Sequence, residues 1–517
     1  MPDPRHLSLV VDGQPHTVED DGASLLEVLR DRIGVRSPKD GCSPQGQCGC
    51  CTVLVDGSPR VACVTPARRV EGRAVTTVDG LADAERWGAA FGAAGASQCG
   101  FCTPGIIVRL AALKAEGKGP DDLDAVERAL LAHLCRCTGW RTILDAWQLT
   151  FADTPPPPRR ADERRAELEG HVPQRVGADI ALGRGGFADD TAPLDALVAV
   201  LDASGRWVVG ETVTEARRLA EKVQGRRTTA ALRHPLEVPP GEWVRTLRTT
   251  WVEPAYLEPD ASWCMPGGEP ASPLANGGAF GGKVDSVVGS AARRLADELG
   301  RPVRALLSRE DVVRLGPKRP PIAAGVRADG TGWVRVARTS GIAAVIRGYA
   351  PGLDVEEVDV AGPPLSIAPR AAGWAEAAVL LAAVAPHDGG ASTVTAPNGA
   401  WAQAEIDERG VRIVVSCGDP LDEVVLRSYC VGAAHMALGW VASEGLAVDE
   451  AGEVHDLTIR SFGVLRAVDT PSIEVTIDAR SNGEPRNGSD AVFGAVAAAA
   501  WRAQGFAPDW PTGGTYR

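Results

Sequence analysis

Cysteines are concentrated near the N-terminus of this chain. Nine of its twelve cysteines lie within the first 137 residues, and eight of the nine form two sets of four. The first set is Cys42, Cys48, Cys51 and Cys63, and the second set is Cys99, Cys102, Cys135 and Cys137. Three thiolates on one tight loop, with a fourth from a nearby strand, can hold an iron–sulfur cluster. The chemistry that these residues predict is therefore electron transfer.

The loop of the first set reads Gly41-Cys42-Ser43-Pro44-Gln45-Gly46-Gln47-Cys48-Gly49-Cys50-Cys51. A [2Fe–2S] cluster held by four thiolates is negatively charged, and glycines allow backbone N–H groups to point at its sulfurs. Cys48 and Cys51 have the spacing of the close pair in plant-type ferredoxins, but five residues rather than the usual four separate Cys42 from Cys48. Cys50 does not fit this spacing, and we expect a packed or partly exposed thiol there.

Zinc binding and free thiols are the alternatives to iron. Two cysteine pairs with short spacing are typical of zinc sites, and Cys99-x2-Cys102 with Cys135-x-Cys137 would suit zinc if it stood alone. Eight cysteines in two successive sets favour two [2Fe–2S] clusters instead.

The elements around the cysteines indicate two small domains. In residues 1–80, apolar β-rich runs flank Asp12-Gly13 and Asp56-Gly57, which are strong hairpin signals, and Ser24 caps a helix between them. This order predicts a β-grasp, ferredoxin-like domain. Residues 81–152 change to amphipathic helices with cysteine pairs at their ends, which predicts a helical domain that holds one cluster at its tip.

The bulk properties restrict the remaining function classes. Residues 153–169 contain a run of four prolines followed by many charges, which predicts a stiff linker, and residues 170–517 are α/β in character. The net charge of −13 argues against nucleic acid as a partner. We expect neither a membrane span nor a signal peptide, and therefore a cytoplasmic protein whose cysteines bind metal rather than form disulfides.

Residues 1–150 closely resemble the iron–sulfur subunit of the xanthine oxidase family of molybdenum hydroxylases. The resemblance is carried by Gly41 to Gly57, by Ser97 to Gly105 and by Leu134 to Gly139. It implies a ferredoxin-like [2Fe–2S] cluster on the first set and a second [2Fe–2S] cluster, in a four-helix-bundle domain, on the second set. In the family the second cluster lies next to molybdopterin and the first lies nearer FAD. Gln98 corresponds to the glutamine that contacts the pterin, although it could instead cap the following helix.

Residues 170–517 resemble, more loosely, a shortened molybdenum-binding subunit of the same family. Gly277-Gly278-Ala279-Phe280-Gly281-Gly282-Lys283 is similar to the glycine-rich loop beside the molybdenum, so Gly278, Phe280 and Gly281 are candidate molybdopterin contacts. Glu484, in Ser481-Asn482-Gly483-Glu484-Pro485, resembles the family's catalytic base, although Ser481 replaces a glycine and a solvated turn glutamate is the plainer interpretation. Other family loops that bind the cofactor and the substrate are not recognisable between about 325 and 400.

The resemblance implies an α+β multidomain protein: a β-grasp domain, a four-helix-bundle domain, and α/β domains like a truncated molybdenum-hydroxylase large subunit. The favoured function is an electron-transfer component that relays electrons from the molybdenum cofactor to FAD. No FAD domain is recognisable, so a separate FAD-binding subunit is implied, together with a full-length molybdenum-binding subunit that oxidises a small molecule. In one alternative this chain itself binds molybdopterin and hydroxylates a purine, aldehyde or N-heterocycle with Glu484 as base. In another it is a structural or assembly subunit.

Overall fold

The structure is a computed structural model that describes residues 5–157, 161–222, 230–386, 390–478 and 482–516. Its first region is a five-stranded mixed sheet in the order β2-β1-β5-β3-β4. The strands are β1 (His6–Val11), β2 (Gln14–Glu19), β3 (Thr52–Val55), β4 (Ser58–Val61) and β5 (Ala74–Thr76). The helix that packs on it consists of α1 (Leu25–Glu27) and a π-helical turn over Val28–Ile33. The predicted β-grasp fold is confirmed.

Local sequence signals account for this first region. Leu7, Leu9 and Val11 alternate with exposed residues along β1 and place their side chains in the core. The Ser24 hydroxyl accepts a hydrogen bond from the backbone N–H of Glu27 at 3.2 Å, as expected of an N-cap. The result is a rigid platform from which the loop of the first cysteine set extends.

A helical region follows and has the four helices that were predicted. They are α2 (Ala84–Ala94), α3 (Thr103–Ala115), α4 (Leu123–Ala129) and α5 (Arg141–Leu149). Trp87, Trp140 and Trp147 are fully buried between them. Cys102 is the N-cap residue of α3, so two cysteines of the second set, Cys99 and Cys102, precede one helix, as the sequence pattern indicates.

The predicted linker over residues 153–169 is only partly a linker. Residues 158–160 lie outside the described part of the chain, and Glu163–Gly170 form a helix, α6. Arg165 and Glu169 are fully buried and form an ion pair with each other at 2.8 Å. The predicted linker thus includes a helix, and the ion pair between Arg165 and Glu169 lets this helix pack against the protein.

Residues beyond 170 form the mixed α/β structure that was predicted. The strands are β6 (Leu197–Leu201), β7 (Trp207–Gly210), β8 (Arg245–Arg248), β9 (Ala261–Cys264), β10 (Val303–Leu306), β11 (Ile322–Val326), β12 (Gly332–Ala337), β13 (Leu353–Val358), β14 (Ser392–Thr395), β15 (Trp401–Asp407), β16 (Gly410–Ser416) and β17 (Ile473–Ile477). They form three four-stranded sheets in the orders β7-β6-β10-β9, β13-β12-β11-β8 and β14-β15-β16-β17.

The helices of this region cover the sheets and close the cores. They are α7 (Ala178–Ala181), α8 (Ala188–Thr191), α9 (Val213–Ala220), α10 (Val288–Leu299), α11 (Arg309–Leu315), α12 (Ile342–Tyr349), α13 (Trp374–Ala382), α14 (Glu423–Ala442) and α15 (Ser489–Ala503). Among the described residues, α14 has the length and composition of a membrane span, but most of it is buried within the protein. One hydrophobic core continues from the two cysteine regions into residues such as Trp251, Leu446 and Phe462, so the regions are packed together.

Candidate iron–sulfur site and its surroundings

The thiols of the first cysteine set lie close together and are buried. Cys42 contacts Cys48, and Cys51 contacts Cys63; a further contact between Cys42 and Cys63 joins the two pairs. The Cys42 sulfur accepts hydrogen bonds from the backbone N–H groups of Gln45 at 3.1 Å and of Gln47 at 3.5 Å. Hydrogen bonds from the Cys48 and Cys63 thiols hold the pKa of Cys42 well below its ordinary value. Two thiol pairs and N–H groups that point at sulfur fit a [2Fe–2S] cluster, in which each iron takes two thiolates.

Cys50 is next to Cys51 in the chain and contacts the Cys48 thiol, but it is not one of the four residues of this set. Its side chain is fully buried, and its sulfur lies 3.8 Å from the carbonyl oxygen of Cys48. The neighbouring Cys48 thiol lowers the pKa of Cys50, but burial and the nearby Cys51 and Cys42 raise it, and the net shift is upward. The sequence left open whether Cys50 is packed or partly exposed, and its complete burial shows that it is packed.

The second set has the same paired arrangement. The sulfurs of Cys99 and Cys137 lie 3.7 Å apart, and Cys102 is paired with Cys135. Hydrogen bonds from Cys102 and then from Thr138 lower the pKa of Cys135 to about 7, despite burial. This set, too, is suited to two irons with two thiolates each.

The loops of the two sets are in direct contact. The backbone N–H of Leu134, the residue before Cys135, donates a hydrogen bond to the carbonyl oxygen of Cys48 at 3.0 Å. Gly105 of α3 packs against the same loop, where a β-carbon would lie 2.4 Å from the carbonyl oxygen of Gly49. Only glycine permits so close an approach. The two cluster sites are thus neighbours within one core.

Arginines from the region beyond residue 170 hold the loop of the first set. Arg309 is fully buried and donates to the carbonyl oxygen of Gly41 at 2.6 Å. Arg217 contacts Asp40 and Ser43, and Arg460 donates to the carbonyl oxygen of Gln47 at 2.9 Å. The side-chain amide of Gln45 in turn donates to the carbonyl oxygen of Leu457 at 3.0 Å. Sequence reasoning missed these residues because nothing local marks them.

The second set is fixed by a buried ion pair. Arg136 lies between Cys135 and Cys137, and its guanidinium donates to both carboxylate oxygens of Glu444 at 2.5 and 2.7 Å. The side chains are only 3% and 1% exposed, so this pair is shielded from water. An arginine between two ligands was visible in the sequence, but its partner 308 residues away was not.

The candidate molybdopterin residues lie close to the second set. The side-chain amide of Gln98 donates to the carbonyl oxygen of Cys137 at 2.8 Å and to the Ser428 hydroxyl at 3.1 Å. Gly278 packs so closely that a β-carbon there would lie 2.9 Å from the β-carbon of Cys99. Gln98 and the glycine-rich loop therefore lie beside the cysteines of the second set, and the hydrogen-bond partners of the Gln98 amide are protein groups.

The rest of the glycine-rich loop packs against protein as well. Phe280 has a positive φ of 50° and lies under the Arg370 guanidinium, 5.8 Å from its ring centre. A β-carbon on Gly281 would collide with the carbonyl group of Ala368. As its glycines indicate, the loop allows very close backbone contacts. The contact at Gly281 is made with another segment of this chain.

The space at these residues does not fit molybdopterin. The cavity that includes Gln98 has a volume of about 20 Å³, and so does the cavity that includes Phe280. Such a volume holds about one water molecule, whereas sites for ligands of this size occupy about 300–1,000 Å³. The residues named by the resemblance are therefore present, but their side chains fill the region.

The chain's own carboxylate occupies the anion-binding end of α15. Glu169 of α6 accepts hydrogen bonds from the backbone N–H groups of Gly488 at 3.0 Å and of Ser489 at 2.9 Å. A helix N-terminus of this kind is a ready site for a phosphate or another anion. Here the buried pair of Glu169 with Arg165 takes that place.

Glu484, the candidate base, lies at the surface. Its side chain is 81% exposed and lies 4.0 Å from the guanidinium of Arg164. The structure does not bring it against Gln98, Gly278 or Phe280 through any described contact. Ser481, where the motif departs from the family, lies outside the described residues.

Known proteins match the two cysteine regions in sequence. Residues 9–82 match the family described as a 2Fe-2S iron-sulfur cluster binding domain, and residues 77–148 match a [2Fe-2S] binding domain. The xanthine dehydrogenase iron-sulfur-binding subunit of Escherichia coli O157:H7 is 38% identical over 146 residues, which are 27% of this chain and 89% of that protein. The nicotinate dehydrogenase small FeS subunit of Eubacterium barkeri is 36% identical over 138 residues, which are 26% of this chain and 87% of that protein.

The fold of the whole chain has a match among solved structures. The aldehyde oxidoreductase from Desulfovibrio desulfuricans ATCC 27774 superposes with a TM-score of 0.67 at 15% identity, over 96% of this chain and 97% of that chain. At this identity the likeness concerns the fold alone. Two [2Fe–2S] domains with close relatives among iron–sulfur subunits, fused to a larger domain of aldehyde oxidoreductase fold, make this chain an oxidoreductase component with an electron-transfer role that belongs to the molybdenum hydroxylase family.

Proposed function

We propose that this chain relays electrons from a molybdenum cofactor on a partner subunit, through two [2Fe–2S] clusters of its own, to FAD on another partner subunit. The observation that carries the proposal is the contact between the two cysteine sets, where Leu134 joins the second set to Cys48 of the first. Cys42, Cys48, Cys51 and Cys63 would hold one cluster, and Cys99, Cys102, Cys135 and Cys137 the other. Such clusters supply one-electron transfer.

The protein around the cysteines has two roles in this proposal. It keeps water from both sets, since all eight side chains are buried, and it fixes their spacing through contacts such as Arg136–Glu444 and Arg309–Gly41. Backbone N–H groups that point at sulfur, like those of Gln45 and Gln47, stabilise negative charge on the thiolates. The region beyond residue 170 acts as a scaffold in this account and carries no catalytic site.

We further infer two partner subunits and a cytoplasmic location. Relatives of the cysteine regions are named as subunits of xanthine and nicotinate dehydrogenases, so a shared complex is the natural setting. The molybdenum-binding partner would oxidise the small-molecule substrate, and the FAD-binding partner would receive the electrons. A structural or assembly role alone would leave unexplained why both sets keep four paired thiols.

The alternative, that this chain hydroxylates substrate itself with Glu484 as base, is supported less well. A general base must reach the reacting group, and it works in a site that excludes water. Glu484 is exposed, and the cavities at Gln98 and Phe280 are about 20 Å³ each.

Glu484→Gln separates these proposals. In the complex with its partners, we expect the turnover of this variant to equal that of Glu450→Gln, a matched control in which an exposed glutamate 3.8 Å from an arginine is changed in the same way. Loss of a general base would lower turnover by about 10²–10⁴-fold. Such a loss in the Glu484 variant alone would establish the alternative.

A further inference from the structure

Arg460 joins three parts of the molecule near the first cysteine set. It lies on the segment between α14 and β17, and its side chain is half-buried. Its Nε donates to the carbonyl oxygen of Gln47, the residue before Cys48, and its Nη2 donates to the carbonyl oxygen of Leu131, both at 2.9 Å. These two hydrogen bonds fix the direction of the guanidinium and hold it beside the loop.

The charge environment of Arg460 differs from that of its neighbour Arg466. Within the described ranges, no Asp or Glu oxygen is paired with it, whereas the neighbouring Arg466 is paired with Asp469 at 2.6 Å. Burial and repulsion from Arg466 lower the pKa of Arg460, and the Cys48 and Cys42 sulfurs oppose this shift. Arginine stays protonated in proteins, so a full positive charge lies beside the loop that carries Cys42 and Cys48.

We propose that Arg460 sets the reduction potential of the first [2Fe–2S] site and raises it. Addition of one electron to a cluster with four thiolates makes an already negative group more negative by one charge. A fixed cation nearby stabilises the reduced form more than the oxidised form, and half-burial weakens the screening by solvent. The region beyond residue 170 thus influences electron transfer, because its Arg460 places a positive charge beside the loop of the first set.

The consequence of this inference for electron transfer rests on the proposed function. Electrons that pass from the second set to the first move downhill when the first site has the higher potential, and Arg460 biases transfer in that direction. No comparable unpaired cation faces the second set among the described contacts, where Arg136 is neutralised by Glu444.

The test is a reductive titration of the full chain with dithionite and redox mediators, followed by EPR. We expect R460Q to lower the midpoint of the first site by about 59 mV, which corresponds to a tenfold smaller equilibrium constant for its one-electron reduction. The second site should keep its potential, and R460K should retain most of the wild-type value because the charge remains. The signal that disappears in Cys51→Ala identifies the first site.

R427Q is the matched control, because Arg427 also links the region beyond residue 170 to the helical region but is paired with Asp145 at 3.1 Å. An equal shift in R460Q and R427Q, or an equal shift at both sites, would overturn the proposal. If R460Q loses iron, the potential of the first site is measured in R460K instead. A wild-type midpoint in R460K supports the role of the charge, and a tenfold smaller equilibrium constant for reduction contradicts it. The readout needs no partner subunit, so it is independent of whether the proposed relay to FAD is correct.

Discussion

Replacement of Glu444 by alanine is expected to lower the free energy of unfolding by about 3–5 kcal/mol and to abolish the EPR signal of the second cluster. The carboxylate accepts two hydrogen bonds from Arg136, and both side chains are almost completely buried. Removal of one partner leaves an uncompensated charge inside the protein, which is far more costly than the loss of an exposed pair. Because Arg136 lies between Cys135 and Cys137, its displacement should move two ligands of the second set.

The matched control for this prediction is Glu453→Ala. Glu453 forms an ion pair with Arg314 at 3.2 Å, but its side chain is 67% exposed. We expect a change of less than about 1 kcal/mol, since exposed pairs contribute little. Chemical denaturation of both variants, with EPR on the same samples, gives the comparison. Equal stability of the two variants, with both cluster signals intact, would show that Arg136 and Glu444 do not fix the second set.

Cys51→Ala should remove half of the iron, and Cys50→Ala should remove none. The two cysteines are adjacent, yet Cys51 has the ferredoxin-like spacing from Cys48 and contacts Cys63, whereas Cys50 lacks that spacing and is a fully buried thiol. An alanine at position 50 deletes one buried sulfur, while an alanine at position 51 deletes a thiolate that an iron requires. Iron analysis and the visible spectrum of each purified variant give the result.

The opposite outcome, loss of iron in Cys50→Ala with retention in Cys51→Ala, would reassign the ligand. The ligand spacing in the first loop would then differ, because Cys50 rather than Cys51 would follow Cys48 as the next ligand. Loss of half of the iron in both variants would make Cys50 necessary for cluster assembly, in contrast to the packed role derived from its surroundings.

The cysteine regions could be predicted from the sequence because their signals are local. Asp12-Gly13 and Asp56-Gly57 mark hairpins, Ser24 marks a helix start, and each becomes the expected element. The two cysteine sets are close in sequence, with spacings that restrict what they can bind. Local turn chemistry and ligand spacing therefore sufficed for the fold of this part.

The contacts that hold the regions together could not be predicted in this way. Arg309 and Gly41 are 268 residues apart, and Arg460 and Gln47 are 413 residues apart. Arginine is common in this chain, and no spacing rule distinguishes these two from solvated arginines. The same limit applies to α6, which lies in the predicted linker: the burial of Arg165 and Glu169 depends on partners far along the chain, such as Pro420 and Gly488.

The resemblance of the larger region to a molybdenum-binding subunit shows how far motif reasoning extends. Gln98 and Gly278 do lie beside the second set, as the resemblance implies. Whether a cofactor fits beside them depends on volume, and the volume beside Gln98 is set by Ser428, Tyr429 and other side chains that no motif includes. The fold persists in this region, while the space beside Gln98 and Phe280 is too small for the ligand.

Metal analysis of the purified single chain tests the central claim most directly. The claim is that this chain holds two [2Fe–2S] clusters and has no molybdenum site of its own. We predict iron and acid-labile sulfide in the amounts that two such clusters need, two EPR signals after reduction, and no molybdenum. Stoichiometric molybdenum in the same sample, expressed in cells that make the cofactor, would contradict the account.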